Sequence, residues 1–161
     1  MGPLGVTDAT RWALGAITKT RRSLLAVADS VPRAAWLEVP AGLSNNVLWN
    51  VGHVAVTAER LTYGLAGLDL PSPAWAHDAF RKGTSPSSWA APPDVDATRA
   101  LLDGFAERVE ADARAGRFDT FREYATTPGV TLAGLDEAVA FDLYHEGLHL
   151  GSVLALRRLV G

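Results

Sequence analysis

Apolar residues in this chain recur at every third or fourth position over long stretches and almost never alternate. That period belongs to helices that bury one face, so it restricts the chain to helix-on-helix packing. The most regular stripe is Val47, Val51, Val54, Ala58, Leu61 and Leu65, with Ser44, Asn45 and Asn46 before it as N-cap candidates. A first helix is expected over residues 7–31, capped by Thr7 or Asp8, packed through Ala13, Ile17, Thr20, Leu24, Val27 and Val31, and stopped by Pro32. Its charges, Arg11, Lys19, Arg21 and Arg22, read as a solvated face. Asp94 or Asp96 caps a third helix with Leu101, Leu102, Phe105 and Val109 inside and Gly116 just past its end. After a loop over 117–130, closed by Thr127-Pro128-Gly129, Thr131 caps a fourth helix running to about Leu159. The expected fold is an all-α four-helix bundle, one domain over residues 1–161.

The connection between the second and third helices, residues 66–95, is long and rich in Pro and Gly, and it carries Trp75, His77, Phe80 and Trp89. Long connections in small domains are often functional, and this one offers a lid or a pocket lining. His77, among turn residues, is expected in solvent. Trp12 and Trp49 read as core or rim packing.

Composition narrows the function. The 161 residues are 48% hydrophobic and 20% charged, with a net charge of −3 and a pI near 5.8. Nucleic acid is excluded as the main partner because phosphate binding needs a basic face. There is no cysteine, so any thiol chemistry needs a thiol brought in as substrate. No apolar run approaches the ~20 residues of a membrane span, and no signal-peptide pattern opens the chain, so a cytoplasmic protein with no membrane partner is expected.

The chemistry concentrates in Asp142-Leu-Tyr-His145-Glu146-Gly-Leu-His149-Leu-Gly151. His145 and His149 stand one helical turn apart on one face, with Asp142 a turn before and Glu146 beside them. Two imidazoles at this spacing can hold one divalent ion, and they equally fit a pair of hydrogen-bonded core histidines. His145-Glu146-Gly-Leu-His149 also matches the HExxH pattern of zinc proteases. That assignment fails, because no His, Asp, Glu or Cys follows His149 to complete the ligand set. A third ligand has to come from upstream. Beside the apolar stripe of the second helix runs a polar one, Asn46, Asn50, His53, Thr57 and Arg60, and His53 is the candidate there.

With Asn50-Val-Gly-His53 on the second helix and His145-Glu-Gly-Leu-His149-Leu-Gly151 on the fourth, the chain resembles the DinB/YfiT-like superfamily. The similarity extends to Asn45-Asn46-Val-Leu-Trp49, to Phe80-Arg-Lys-Gly83-Thr-Ser-Pro86 and to the terminal Leu-Arg-Arg-Leu-Val-Gly. The resemblance implies a three-histidine site, His53, His145 and His149, for zinc, nickel or a similar ion. Many relatives carry Gln where this chain has Ser152. The iron-binding HxxxHxE pattern of the related sulfoxide synthases is broken here by Gly151, which sets that branch aside.

Three neutral imidazoles leave an ion its full charge and an open position, where water or a thiol is acidified. Two enzyme readings follow: a hydrolase, or an S-transferase of a low-molecular-weight thiol of the bacillithiol or mycothiol type acting on a small-molecule substrate. Glu146 or Asp142 is expected to orient an imidazole or act as general base, and Asn50 and Thr57 to support His53 or touch substrate. The alternative is a non-catalytic metal-binding or structural bundle. Apolar faces left on such a bundle, and the resemblance, point to a homodimer.

Overall fold

The computed structural model describes residues 5–160; residues 1–4 and 161, the ends of the expected 1–161 domain, lie outside it. Six helices and one small hairpin follow one another: α1 (Asp8–Asp29), α2 (Val47–Glu59), α3 (Ala74–Phe80), α4 (Val95–Ala100), α5 (Phe105–Arg114), β1 (Tyr124–Ala125), β2 (Thr131–Leu132) and α6 (Leu135–Val160). The chain is all-α in class, a bundle in which α1 lies along α6 and α2 packs against α6, α3 and α4. No helix among the described residues is long and apolar enough to cross a membrane.

Helix α2 is the centre of the molecule. The Asn46 side chain accepts from the Trp49 N–H at 2.8 Å and caps it. Twelve of its thirteen residues are buried, as expected of a helix apolar on most sides. Its last turn, Arg60–Gly64, widens to π geometry, and the whole stripe from Val47 to Leu65 is buried. Gly52 is what lets α3 approach. A Cβ there would stand 2.4 Å from the Phe80 ring, which is fully buried against it.

Thr7 caps α1 as expected, accepting from the Thr10 N–H at 3.1 Å. The buried face of α1 includes the expected Ala13, Ile17 and Leu24, but it is completed by Thr10, Leu14, Arg21 and Ala28. Arg21 therefore leaves the solvated face assigned to it and enters the core. Trp12 does the opposite and is 71% exposed.

The connection over 66–95 is not structureless: residues 74–80 wind into α3 under Gly52. His77 on this helix is buried, with Nε2 3.3 Å from Glu59 Oε2, rather than exposed. Glu59 also accepts from the Ser72 N–H and hydroxyl at 2.9 and 2.8 Å, so one buried carboxylate on α2 holds the start of this segment.

Asp94 caps as expected, accepting from the Ala97 N–H at 2.8 Å. The expected third helix is nevertheless two, because Gly104 takes φ 69° and turns the chain between α4 and α5. Gly116, at φ 72°, follows the end of α5 as expected. Residues 117–130 are not a plain loop, for β1 and β2 pair antiparallel with Tyr124 opposite Leu132. Thr131 belongs to β2 instead of capping α6. The hairpin turn is closed by Thr126, whose hydroxyl donates to Val130 O at 2.9 Å and accepts from the Val130 N–H at 3.0 Å.

Candidate metal centre

Buried α2 presents His53 toward α6, where His145 and His149 follow at helical spacing. The three rings meet. His145 Nε2 lies 3.2 Å from His53 Nε2 and 3.1 Å from His149 Nε2, and one ligand atom from each lies within 4.8 Å of the others. Trp49 backs the group, stacked on His53 at 4.3 Å between ring centroids with 14° between the planes.

The surrounding hydrogen bonds fix which nitrogen carries the proton in two of the three rings. His53 Nδ1 is 2.7 Å from Phe80 O, a carbonyl that can only accept, so Nδ1 donates and Nε2 keeps its lone pair. The Asn50 amide donates to Asn46 O at 2.8 Å and to Asn45 Oδ1 at 3.2 Å, which turns its Oδ1 toward His149. His149 Nδ1 must then donate to Asn50 Oδ1 at 2.7 Å, and its Nε2 lone pair also faces the centre. His145 Nδ1 faces Asp142 Oδ1 at 4.0 Å and has no hydrogen-bond partner.

Three nitrogens thus crowd one point with at most one proton among them. A cation relieves that repulsion. Zinc–imidazole bonds of about 2.0–2.1 Å in tetrahedral array place nitrogens about 3.3–3.4 Å apart. The two separations from His145, 3.1 and 3.2 Å, are close to that spacing, and all three ligand atoms lie within 4.8 Å of one another. Protonation is disfavoured as well. Burial lowers the pKa of all three rings, assisted for His145 by His53 and for His149 by both neighbours, to about 4 for His145 and about 3 for His149. Protons therefore compete for these nitrogens only in acid. Between about pH 8 and 6 the metal dissociation constant is expected to change by less than about threefold, weakening steeply below about pH 5. Competition titration against a chromophoric chelator measures this. A loss on the order of a thousandfold by about pH 5.5, as for three histidines near 6.5, would contradict the buried geometry.

Of the other expected site residues, Asn50 orients His149 as described. Thr57 places its hydroxyl 3.3 Å from His53 Nε2, at the edge of the nitrogen cluster. Glu146 points away from the site. Its Oε1 accepts from Arg21 Nε at 2.8 Å, with Arg21 Nη2 at 2.7 Å. Asp142, one turn back, is fully buried beside Glu146. Desolvation, and after it the Glu146 charge, hold its carboxyl well above the usual carboxylate range, and neither of its oxygens has a hydrogen-bond partner.

His53 and His145 open on one side into a cavity of about 440 Å³, lined also by Thr57, Lys82, Phe141, Tyr144 and the hairpin residues Tyr124 and Thr126–Pro128. The Trp-containing connection was the expected lining, but only Lys82 of it reaches here. Trp75 and Trp89 line a different cavity of about 600 Å³. The hairpin wall was missed from the sequence. Its available signals were Thr127-Pro128-Gly129, read only as a turn, and Tyr144, which precedes His145 on α6.

No curated protein matches the chain. A family model described as the DinB superfamily matches residues 16–153. With a helical bundle and a three-histidine cluster capable of holding a metal ion, the chain belongs to the DinB superfamily.

Proposed function

We propose that His53, His145 and His149 bind one divalent ion, zinc or nickel, and that the protein is an enzyme acting there on a small molecule. The preferred reaction is S-transfer from a low-molecular-weight thiol, with hydrolysis as the second form. One observation carries this reading: the three Nε2 atoms converge, and two of their rings, His53 and His145, line an open 440 Å³ cavity. A structural site is closed by a fourth protein ligand, whereas a catalytic one keeps a position free. Among the described residues no fourth His, Asp or Glu joins the cluster. His77 is engaged with Glu59, and Asp142 lies behind His145 on its Nδ1 side.

An ion held here supplies a Lewis acid that acidifies a bound water or thiol. The chain supplies the rest. Phe80 O and Asn50 hold two imidazoles in the ligating tautomer, and the Thr57 hydroxyl stands where it can take or give a hydrogen bond to a reacting group. Phe141, Tyr144 and Leu148 give the cavity an apolar wall for the electrophile. Tyr144 and Leu148 are each 52% exposed on α6, and Leu154 and Leu159 continue that apolar face, where a second copy of the chain would pack in a homodimer.

The test is a rate. Protein loaded in turn with zinc, nickel and manganese is expected to accelerate conjugation of a small thiol to monochlorobimane by more than about tenfold over the unloaded protein. A panel of esters and amides tests the hydrolytic form. No acceleration in either assay would contradict the enzyme and leave a non-catalytic metal-binding bundle.

A further inference from the structure

Beside the histidine cavity lies a second concavity of about 270 Å³. Thr57, Leu61, Lys82 and Tyr124 line both, so the two adjoin across these four residues. The far part is cationic. Arg60 comes from the end of α2, Arg81 and Lys82 from the turn after α3, and Arg122 from the approach to β1, and no carboxylate lines the space.

Such a gathering is not a by-product of overall charge, since the chain is net acidic at −3. Nor is it a set of partners for surface carboxylates. Seven of the fifteen Lys and Arg residues are in ion pairs among the described residues. Of the eight that are not, four line this one concavity. Like charges held together without a counter-charge repel one another, and the arrangement is relieved when an anion enters. Two contacts hold the segments in place. Lys82 Nζ donates to Thr127 Oγ1 at 2.7 Å, tying the turn after α3 to the hairpin. The Arg122 N–H donates to Leu65 O at 2.7 Å, tying the hairpin approach to the end of α2.

We propose that this concavity is an anion subsite, which takes a carboxylate or phosphate group of the same small molecule whose reacting end lies at the histidines. Guanidinium groups match both oxyanions through paired N–H donors, and Lys82, lining both cavities, stands where the anionic and reacting parts join. The inference rests on the reading of the histidine cluster as the reaction site. It adds a substrate class: anionic metabolites, and among thiols those that carry a carboxylate.

Calorimetric titration with succinate and with inorganic phosphate tests it, with succinamide as the neutral counterpart. The proteins are the parent, the Arg60→Gln/Arg122→Gln double variant, Arg158→Gln as a surface-charge control, and His145→Ala. All three arginines are exposed, so an unchanged melting temperature is expected in both arginine variants. The parent should bind succinate or phosphate with affinity falling as salt rises, and the double variant should lose about tenfold in Kd. Arg158→Gln and His145→Ala should bind as the parent does. Equal binding by the double variant, equal binding of succinamide and succinate, or no binding of either anion by the parent would overturn the subsite. Loss in His145→Ala alone would also overturn it, by placing the anion on the histidine site, while leaving the metal reading intact.

Discussion

Replacing Arg21 with methionine is expected to lower the stability of the fold by about 3–5 kcal/mol, the usual consequence of removing one partner from a buried ion pair. Arg21 is 5% exposed and Glu146 is fully buried. The guanidinium makes two contacts with Glu146 Oε1, donates to Leu102 O at 3.0 Å, and lies 4.6 Å from the centroid of the Phe105 ring. It is the ion-pair partner of buried Glu146, beside which burial and the Glu146 charge push the Asp142 carboxyl well above the usual range. Methionine keeps the apolar stem and deletes the charge, so Glu146 would have to take up a proton or remain as an uncompensated ion. Urea unfolding of the variant reads the loss. The Arg21→Met/Glu146→Leu pair, which leaves no buried charge, should recover most of it. A single-variant loss below about 1 kcal/mol would mean that the pair is not buried as described.

Gly52→Ala is expected to cost about 1–3 kcal/mol and to weaken metal binding at the same time. The new methyl would stand 2.4 Å from Phe80 Cγ and Cδ2, and the ring it meets is in the core, edge-on to Trp89 at 5.8 Å. Something must move, and Phe80 is also the residue whose carbonyl accepts from His53 Nδ1. Shifting α3 away from α2 would therefore release the bond that sets the His53 tautomer. Groups that hold ligating imidazoles typically contribute about 10–100-fold to metal affinity. Chelator competition together with thermal unfolding tests both effects. Parent-like affinity in a destabilised variant would separate the packing of Phe80 from the orientation of His53.

How far the sequence carries depends on whether a residue's partner is near it in the chain. His145 and His149 stand a turn apart, and His53 lies in a polar stripe beside an apolar one, so the local period already points all three inward. Arg21 sits on a line with Leu14, Ile17 and Leu24, yet a guanidinium is buried only when something neutralises it. That something is Glu146, 125 residues away. His77 lies in a short helix between Pro73 and Gly83, where no period has room to develop, and its burial depends on Glu59 of another helix. The two-residue strands of the hairpin are shorter than the alternation that would reveal them. The histidine cluster was thus readable ahead of the fold around it, while the cavity wall and the cationic depression arise only when α2, α3 and the hairpin come together.

Three nitrogens from two helices are expected to hold one ion. Elemental analysis of untagged protein, purified without chelator and then offered zinc, nickel and manganese, tests it directly beside His53→Ala, His145→Ala and His149→Ala. About one equivalent of metal per chain in the parent and a loss of most of it in each variant is the expected result. A parent that takes up no metal, or variants that keep all of it, would contradict the account.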